Sequence, residues 1–284
     1  MTRSFLTGDE LTADELNALL DRALELKAAP LSCDVLAGKS VALVFQKPST
    51  RTRISFEVGV SELGGRPLIL RTDELQLSRG ESLKDFALVI SRHVAMVGVR
   101  THDDAELETL AAEGSIPVIN MLTRGHHPCQ ALADLLTLKE RFGELEGRKI
   151  TYVGDGNNVA RSLHKLGTLA GAEVVISSPP ANTLAGLPNV EEPRAAVAGA
   201  SAVYTDVWVS MGEDSGDTTA LAPYALTDEL LDAAGPDVVA LHCLPAHPGQ
   251  EISESVLYGD RQAIWDQAEN RRHAQKALLE LLAG

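Results

Sequence analysis

Two successive runs of short apolar segments alternating with amphipathic ones predict an α/β protein of two domains, each a parallel sheet flanked by helices. The length agrees with this. At 284 residues, 44% of them hydrophobic, the chain can bury a sizeable core and is long for a single one. A helical stretch, HPCQALADLLTLKERFG, separates the runs and is long enough to carry the chain between domains. The expected division is a first domain over residues 1–127, a linking helix over 128–144 and a second domain over 145–261.

The first run opens with LTADELNALLDRALELK, whose apolar residues fall at helical spacing behind a threonine with an acid three places on, the pattern of a capped helix. KSVALVFQK reads as a buried strand, TRISFEVGVSELGG as a helix closed by Gly64 and Gly65, and RPLILR as the next strand. A polar loop, TDELQLSRGES, leads to the amphipathic helix LKDFALVISRH. The strand VAMVGVR, a helix around DAELETLAAEG and the strand IPVINML complete the run. Pro128 then sits near the first turn of the linking helix, where its missing N–H is tolerated.

The second run begins RKITYVGDGNNVARSLHKLGTLAGAEVVISSP, a strand, a turn, a helix and a strand. Beyond Pro179 the pattern thins, because PANTLAGLPNVEEPRAAVAG holds several breakers and room for little helix. ASAVYTDVWVSMG and VVALHCLPAH read as further strands, each ending in polar, reactive residues, and QAENRRHAQKALLELLAG as a closing helix.

Charge and cysteine usage exclude several classes. A formal net charge of -15 opposes generic binding to nucleic acid or to an anionic membrane, both of which depend on broad positive potential. Any anionic ligand must be caught by a local basic cluster. Cys33, Cys129 and Cys243 are too few and too scattered for a disulfide framework, so free thiols in a reducing compartment are expected. No apolar run is long enough to span a bilayer, and acids stand where a signal peptide needs an apolar segment. The expected compartment is the cytoplasm.

In an open parallel sheet, ligands sit beyond the carboxyl ends of the strands. The segments just after the strands, PSTRT, RTHD, RGHHPCQ, GDGNN, DVWVSMG and HCLPAH, therefore supply the candidates. Ser49, Thr50, Arg51 and Thr52 lie at a strand-to-helix junction, where free backbone N–H groups and a forked guanidinium suit phosphate, although helix capping alone also explains the hydroxyls. GDGNNV lacks the third glycine of a dinucleotide fingerprint, since Val159 stands there; its two glycines still make a tight turn. His127 is either a donor to a substrate oxygen or a capping and packing residue. Asp206 suits an ammonium group. His242, Cys243 and His247 invite a zinc reading, but no CxxC pair or HxxxH helix supplies further ligands. Cys243 can equally be a small buried hydrophobe.

STRTR with SFEVGVSELGG, HPCQALADL, GDGNN, DVWVSMG, HCLPAH and AENRRHAQKALL occur in the order of the aspartate/ornithine carbamoyltransferase family. The chain resembles that family, and its ornithine branch, over nearly its whole length. The resemblance implies transfer of a carbamoyl group from carbamoyl phosphate to the δ-amine of L-ornithine, giving citrulline and phosphate, in arginine biosynthesis or in reverse in catabolism. It implies no metal and no organic cofactor. A C-terminal helix over 262–284 is expected to pack back on the N-terminal domain.

By this resemblance Ser49, Thr50, Arg51 and Thr52 cradle the phosphate, with Arg100, His127, Pro128, Cys129, Gln130 and Arg271 completing the carbamoyl phosphate site. Gln76, on the polar loop, reaches a neighbouring subunit's site, so a homotrimer or a multiple of trimers with shared active sites is implied. Asn158, Asp206, Ser210 and Met211 are assigned to ornithine, and Cys243 and Leu244 to the reacting centre. Catalytic roles fall to Arg100, His127, Cys243 and Asp206. The alternatives are a carbamoyltransferase with another amine acceptor, such as an acylated ornithine or putrescine, and a non-catalytic carbamoyl phosphate-binding paralogue. The stretch 179–200 is short for the family, so one crossover helix is expected to be reduced or missing.

Overall fold

The computed structural model describes residues 2–209 and 217–284. The chain divides into two compact units, the first formed by Met1–Leu136 and Glu269–Gly284, the second by Thr137–Ala268. Each holds one four-stranded sheet in which every pairing is parallel. The expected α/β architecture is present in both.

Unit 1 begins with helix α1, Ala13–Ala28, whose Thr12 and Glu15 form the reciprocal capping box that the sequence pattern announced. Strand β1, Ser40–Phe45, leads through Ser49, the N-cap, into α2, Thr50–Glu62. Strand β2, Arg66–Arg71, is followed by two 3-10 turns, α3 at Leu83–Ile90, β3 at Met96–Arg100, α4 at Asp104–Glu113 and β4 at Val118–Leu122. The spatial order is β2-β1-β3-β4. Connections therefore depart in opposite directions from β1, which puts a topological switch point between the carboxyl ends of β1 and β3. Buried apolar residues on β1, β3 and β4 pack under α3 and α4, with Phe86, Leu107 and Leu110 among them.

Unit 2 repeats the plan. Strand β5, Lys149–Val153, follows α5, Pro128–Phe142, and leads to α6, Asn158–Leu169, and β6, Glu173–Ser177. Helix α7, Pro193–Val197, precedes β7, Ala202–Thr205, then come α8, Asp228–Ala234, β8, Val239–His242, and α9, Glu254–Tyr258. The order β6-β5-β7-β8 places the second switch point between β5 and β7.

Three details refine the sequence expectation. The strand expected to run through DVWV stops at Thr205, so Asp206 leaves the sheet. The crossover between β6 and β7 keeps one 3-10 turn at Pro180–Asn182 and a helix of 5 residues, α7, as the breakers in that stretch foretold. Helices α8 and α9, of 7 and 5 residues, are too short to show a periodic pattern and were not anticipated.

The last helix, α10, Ile264–Ala283, supplies the second chain segment of unit 1. Arg22 on α1 pairs with Glu280 at 2.8 Å, Lys27 donates to Asn270 at 2.9 Å, and the buried Lys276 donates to Glu62 at 2.8 Å. These contacts return the C-terminal helix to the N-terminal domain. The division into units falls within α5 and within α10, whereas the sequence placed its boundaries near the ends of those helices. Among the described residues no helix is long and apolar enough to cross a membrane.

Candidate active site

Unit 1 gathers donors at its switch point. The Ser49 hydroxyl caps α2 by accepting from the Thr52 N–H at 3.4 Å, leaving the first turn of the helix and its dipole directed at the strand ends. Arg271 reaches in from α10; its guanidinium donates to Thr52 Oγ1 at 2.8 Å and to Gln130 Oε1. Gln130 in turn donates to Asp134 at 2.8 Å, which fixes its amide and hence the fork of Arg271. Arg271 and Arg100 are only 3% and 6% exposed, so a chain of net charge -15 buries two guanidinium groups in one unit. Buried positive charge in that setting favours an anionic ligand.

His127 is buried beside them. Burial, reinforced by Arg271 and Arg100, drives its imidazole well below the usual histidine range, so it is neutral and keeps one N–H to donate. The turn that presents it is tied down by Asp104, which accepts from Thr123 Oγ1 at 2.6 Å and from the Gly125 N–H at 3.1 Å, and lies 2.9 Å from His126 Nδ1. Burial alone would raise the Asp104 carboxyl; hydrogen bonds from His126 and Thr123 outweigh it and hold the group below its ordinary value. Asp104 was not foreseen from sequence, because its role depends on folding back onto a turn about twenty residues later.

A cavity of about 570 Å³ opens beside this cradle, lined by Lys47, Ser49, Thr50, Arg53 and Arg71 among others. Gln76 lies exposed on the 3-10 turn Gln76–Arg79. Cys129 is fully buried with its thiol donating to the Asn120 carbonyl at 3.3 Å, and burial pushes that thiol up to about 12. Its side chain faces the core.

Unit 2 builds a different kind of site. Gly154 turns the chain after β5 at φ 124, a conformation that favours glycine, and a Cβ there would stand 3.2 Å from Thr205 Oγ1, a tight contact. Gly156 packs against the carbonyl of Asn182, where a Cβ would come within 2.3 Å. The turn delivers Asn157, which caps α6 through its Oδ1 and donates its amide to Asp206 Oδ2 at 2.9 Å. Cys243, just past β8, donates its thiol to Asp206 Oδ1 at 2.8 Å. Both oxygens of a carboxylate only 6% exposed are thus engaged, and the Tyr152 phenol beneath is driven well above its normal range by burial, then by Asp206.

Asp206, His242 and Cys243 offer ligand atoms within 4.8 Å of one another. Both ring nitrogens of His242 are already committed, Nδ1 to the Leu244 N–H at 2.8 Å and Nε2 to Glu251 at 3.2 Å. A metal would have to displace one of these. Asn158 occupies the first position of α6, while Asn157 makes the contact to Asp206. Ser210 and Met211, assigned to ornithine by resemblance, lie outside the described residues.

Two doubly wound units, one with buried arginines at its switch point and one with a carboxylate and a thiol, define a two-domain α/β group-transfer protein. Residues 3–140 match the carbamoyl-P binding domain, and residues 146–282 the Asp/Orn binding domain, of aspartate/ornithine carbamoyltransferase. The chain belongs to this family. It is 47% identical over 302 residues to the ornithine carbamoyltransferase of Acidothermus cellulolyticus, covering 99% of this chain and 97% of that one. The ornithine carbamoyltransferase structure from Pyrococcus furiosus superposes with a TM-score of 0.92 at 40% identity, covering 98% of this chain and 96% of that chain. That from Thermus thermophilus gives 0.92 at 38%, covering 100% of each.

Proposed function

We propose that this chain transfers the carbamoyl group of carbamoyl phosphate to the δ-amine of L-ornithine, releasing L-citrulline and phosphate. The observation that carries the choice of acceptor is Asp206 with Cys243 and Asn157 on its two oxygens. Aspartate as acceptor would bring a second carboxylate and call for a cation there. Ornithine brings an α-ammonium that Asp206 pairs, and its match to Asp206 disfavours putrescine, which has no α-carboxylate or α-ammonium.

In this reading Ser49, Thr50, Arg51 and Thr52 hold the phosphate with Arg271, and Pro128, Cys129 and Gln130 contribute through the start of α5. Arg100, His127 and the Thr52 hydroxyl donate to the carbonyl oxygen, where negative charge grows as the amine adds. A neutral His127 fits that task, since it donates without needing to lose a charge. Arg51 and Arg271 stabilise the departing phosphate. Asn158, Asp206, Ser210 and Met211 orient ornithine, and Cys243 and the Leu244 backbone stand at the reacting centre.

The amine must be neutral to attack. If it titrates like a lysine near ~10.4, presenting it uncharged at pH 7 costs roughly 4.6 kcal/mol. Asp206 is the proton acceptor at hand, directly or through Cys243, whose sulfur can take the amine's proton only as its own passes to Asp206 Oδ1. No resident metal enters this chemistry. The exposed position of Gln76 suits a role in a neighbouring subunit's site, and we read the protein as a homotrimer, or a multiple of trimers, working in the cytoplasm.

Citrulline formation by the purified chain, with L-ornithine, L-aspartate, acetylornithine and putrescine offered in parallel, tests the proposal. Product from ornithine alone is expected. Carbamoyl phosphate binding without product from any acceptor would replace the enzyme with a binding paralogue.

A further inference from the structure

Beyond the residues already given roles, one fully buried carboxylate stands behind the reacting turn of unit 2. Glu251 is 0% exposed; its backbone carbonyl accepts from the Leu226 N–H at 2.8 Å, and its side chain meets His242 at the end of β8. Its Oε1 lies 3.2 Å from His242 Nε2 and accepts from the His247 N–H at 2.5 Å. Its Oε2 faces His247 Nδ1 at 3.5 Å. Burial alone would raise this carboxyl, but hydrogen bonds from His242 and from the His247 backbone outweigh it, and the group is held as an anion.

The imidazole between Glu251 and the turn has only one arrangement compatible with both neighbours. The Leu244 N–H can only donate, so His242 Nδ1, 2.8 Å away, must be the bare nitrogen. The ring proton then sits on Nε2 and points at the carboxylate. Leu244 needs that support: at φ 62 it is the one non-glycine residue in the left-handed region among the described residues. Its neighbour Cys243 depends on the same turn to aim its thiol at Asp206, 2.8 Å away.

We infer that Glu251 is a positioning residue for carbamoyl transfer, holding His242 in the Nε2–H tautomer so that the Cys243–Leu244 turn keeps its reactive conformation. Without the carboxylate the ring can take the Nδ1–H form. Two donors then face each other across the turn, and the contact that fixes Leu244 is lost. The inference rests on the carbamoyl-transfer reading for its kinetic consequence, but not for its tautomer.

The experiment is 15N NMR of the histidine rings in the intact chain, alongside citrulline kinetics, for the wild type, Glu251→Leu and Glu251→Gln. The wild type is expected to show His242 protonated on Nε2. Glu251→Leu is expected to lose that tautomer and to slow turnover by about tenfold to a hundredfold, with carbamoyl phosphate affinity unchanged. The amide oxygen of Glu251→Gln still accepts both hydrogen bonds, so this variant keeps the tautomer and near-normal turnover. An Nδ1–H ring in the wild type overturns the inference even if Glu251→Leu does not fold. So does a folded Glu251→Leu with wild-type turnover, or a Glu251→Gln that keeps the tautomer and turns over slowly. A wild type that makes no citrulline would instead overturn the functional reading, leaving the tautomer result to stand by itself.

Discussion

Arg271 on α10 donates to Thr52 on α2 across 2.8 Å, joining residues 219 positions apart. The junction between β1 and α2 is therefore not built by the STRTR segment alone. Its hydroxyl is oriented by a guanidinium from the far end of the chain, and that guanidinium is in turn oriented by Gln130.

Replacing Arg271 should accordingly weaken carbamoyl phosphate binding. A charge-assisted hydrogen bond is worth about 1.5–3 kcal/mol, so Arg271→Ala should lose roughly ten- to a hundredfold in affinity for each bond removed. Arg271→Lys restores the charge without the fork and should recover only part of it. Titration calorimetry reads this directly, and an unchanged affinity would take Arg271 out of the site.

Cys243→Ala removes the thiol from Asp206 Oδ1 and leaves unit 1 untouched. Turnover should fall by about a hundredfold if the thiol takes part in proton transfer, with carbamoyl phosphate affinity preserved. Near-normal citrulline formation would reduce Cys243 to a packing residue.

Gly156→Ala would set a methyl group 2.3 Å from the Asn182 carbonyl. Overpacking of this kind costs about 1–3 kcal/mol, and a thermal melt should show unit 2 unfolding several degrees earlier. A variant with the wild-type melting temperature would mean that the Pro180–Asn182 turn moves aside freely.

Alkaline pH offers a fourth check, through Cys129. Burial raises its thiol from 9.0 to about 12, so on raising the pH the unfolded chain gives up this proton before the folded one does. The stability it contributes is fully present below pH 9.0 and fades as the pH climbs toward about 12. In the folded protein at pH 8, alkylation followed by mass spectrometry should label Cys33 and Cys243, which are partly exposed, and spare Cys129. Early modification of Cys129 would contradict its burial.

The parallel sheets were legible because β1, β3 and β8 are short, mainly apolar runs, and the candidate residues because ligands gather where such runs end. Gln130 was marked only by its place in RGHHPCQ, and Arg271 only as a long cation near a helix start, for which a surface salt bridge would suffice; its burial at 3% exposure is a product of the fold. Both asparagines of GDGNN were candidates for the cleft, and only the fold shows that it is Asn157 that caps α6 and meets Asp206. Asp104, Asn182 and Glu251 were invisible for a shared reason: each acts by a side chain or carbonyl folding back onto a turn formed elsewhere. The Asn182 amide donates to Asp155 at 2.7 Å and its carbonyl accepts from the Gly156 N–H at 2.9 Å, so the crossover between β6 and β7 anchors the GDGNN turn.

The chain of unit 2 is interposed between the two segments of unit 1, and this sets an order of events during synthesis. A ribosome that has made β1 through β4 has made every strand of the first sheet but not Arg271, and must first produce all of Thr137–Ala268. Domains fold as their segments emerge, so the second unit can be complete while the first still awaits its closing helix. A chain that ends before Arg271 therefore lacks the guanidinium that meets Thr52 and Gln130, and under the proposed function only a chain that extends into α10 completes the carbamoyl phosphate site.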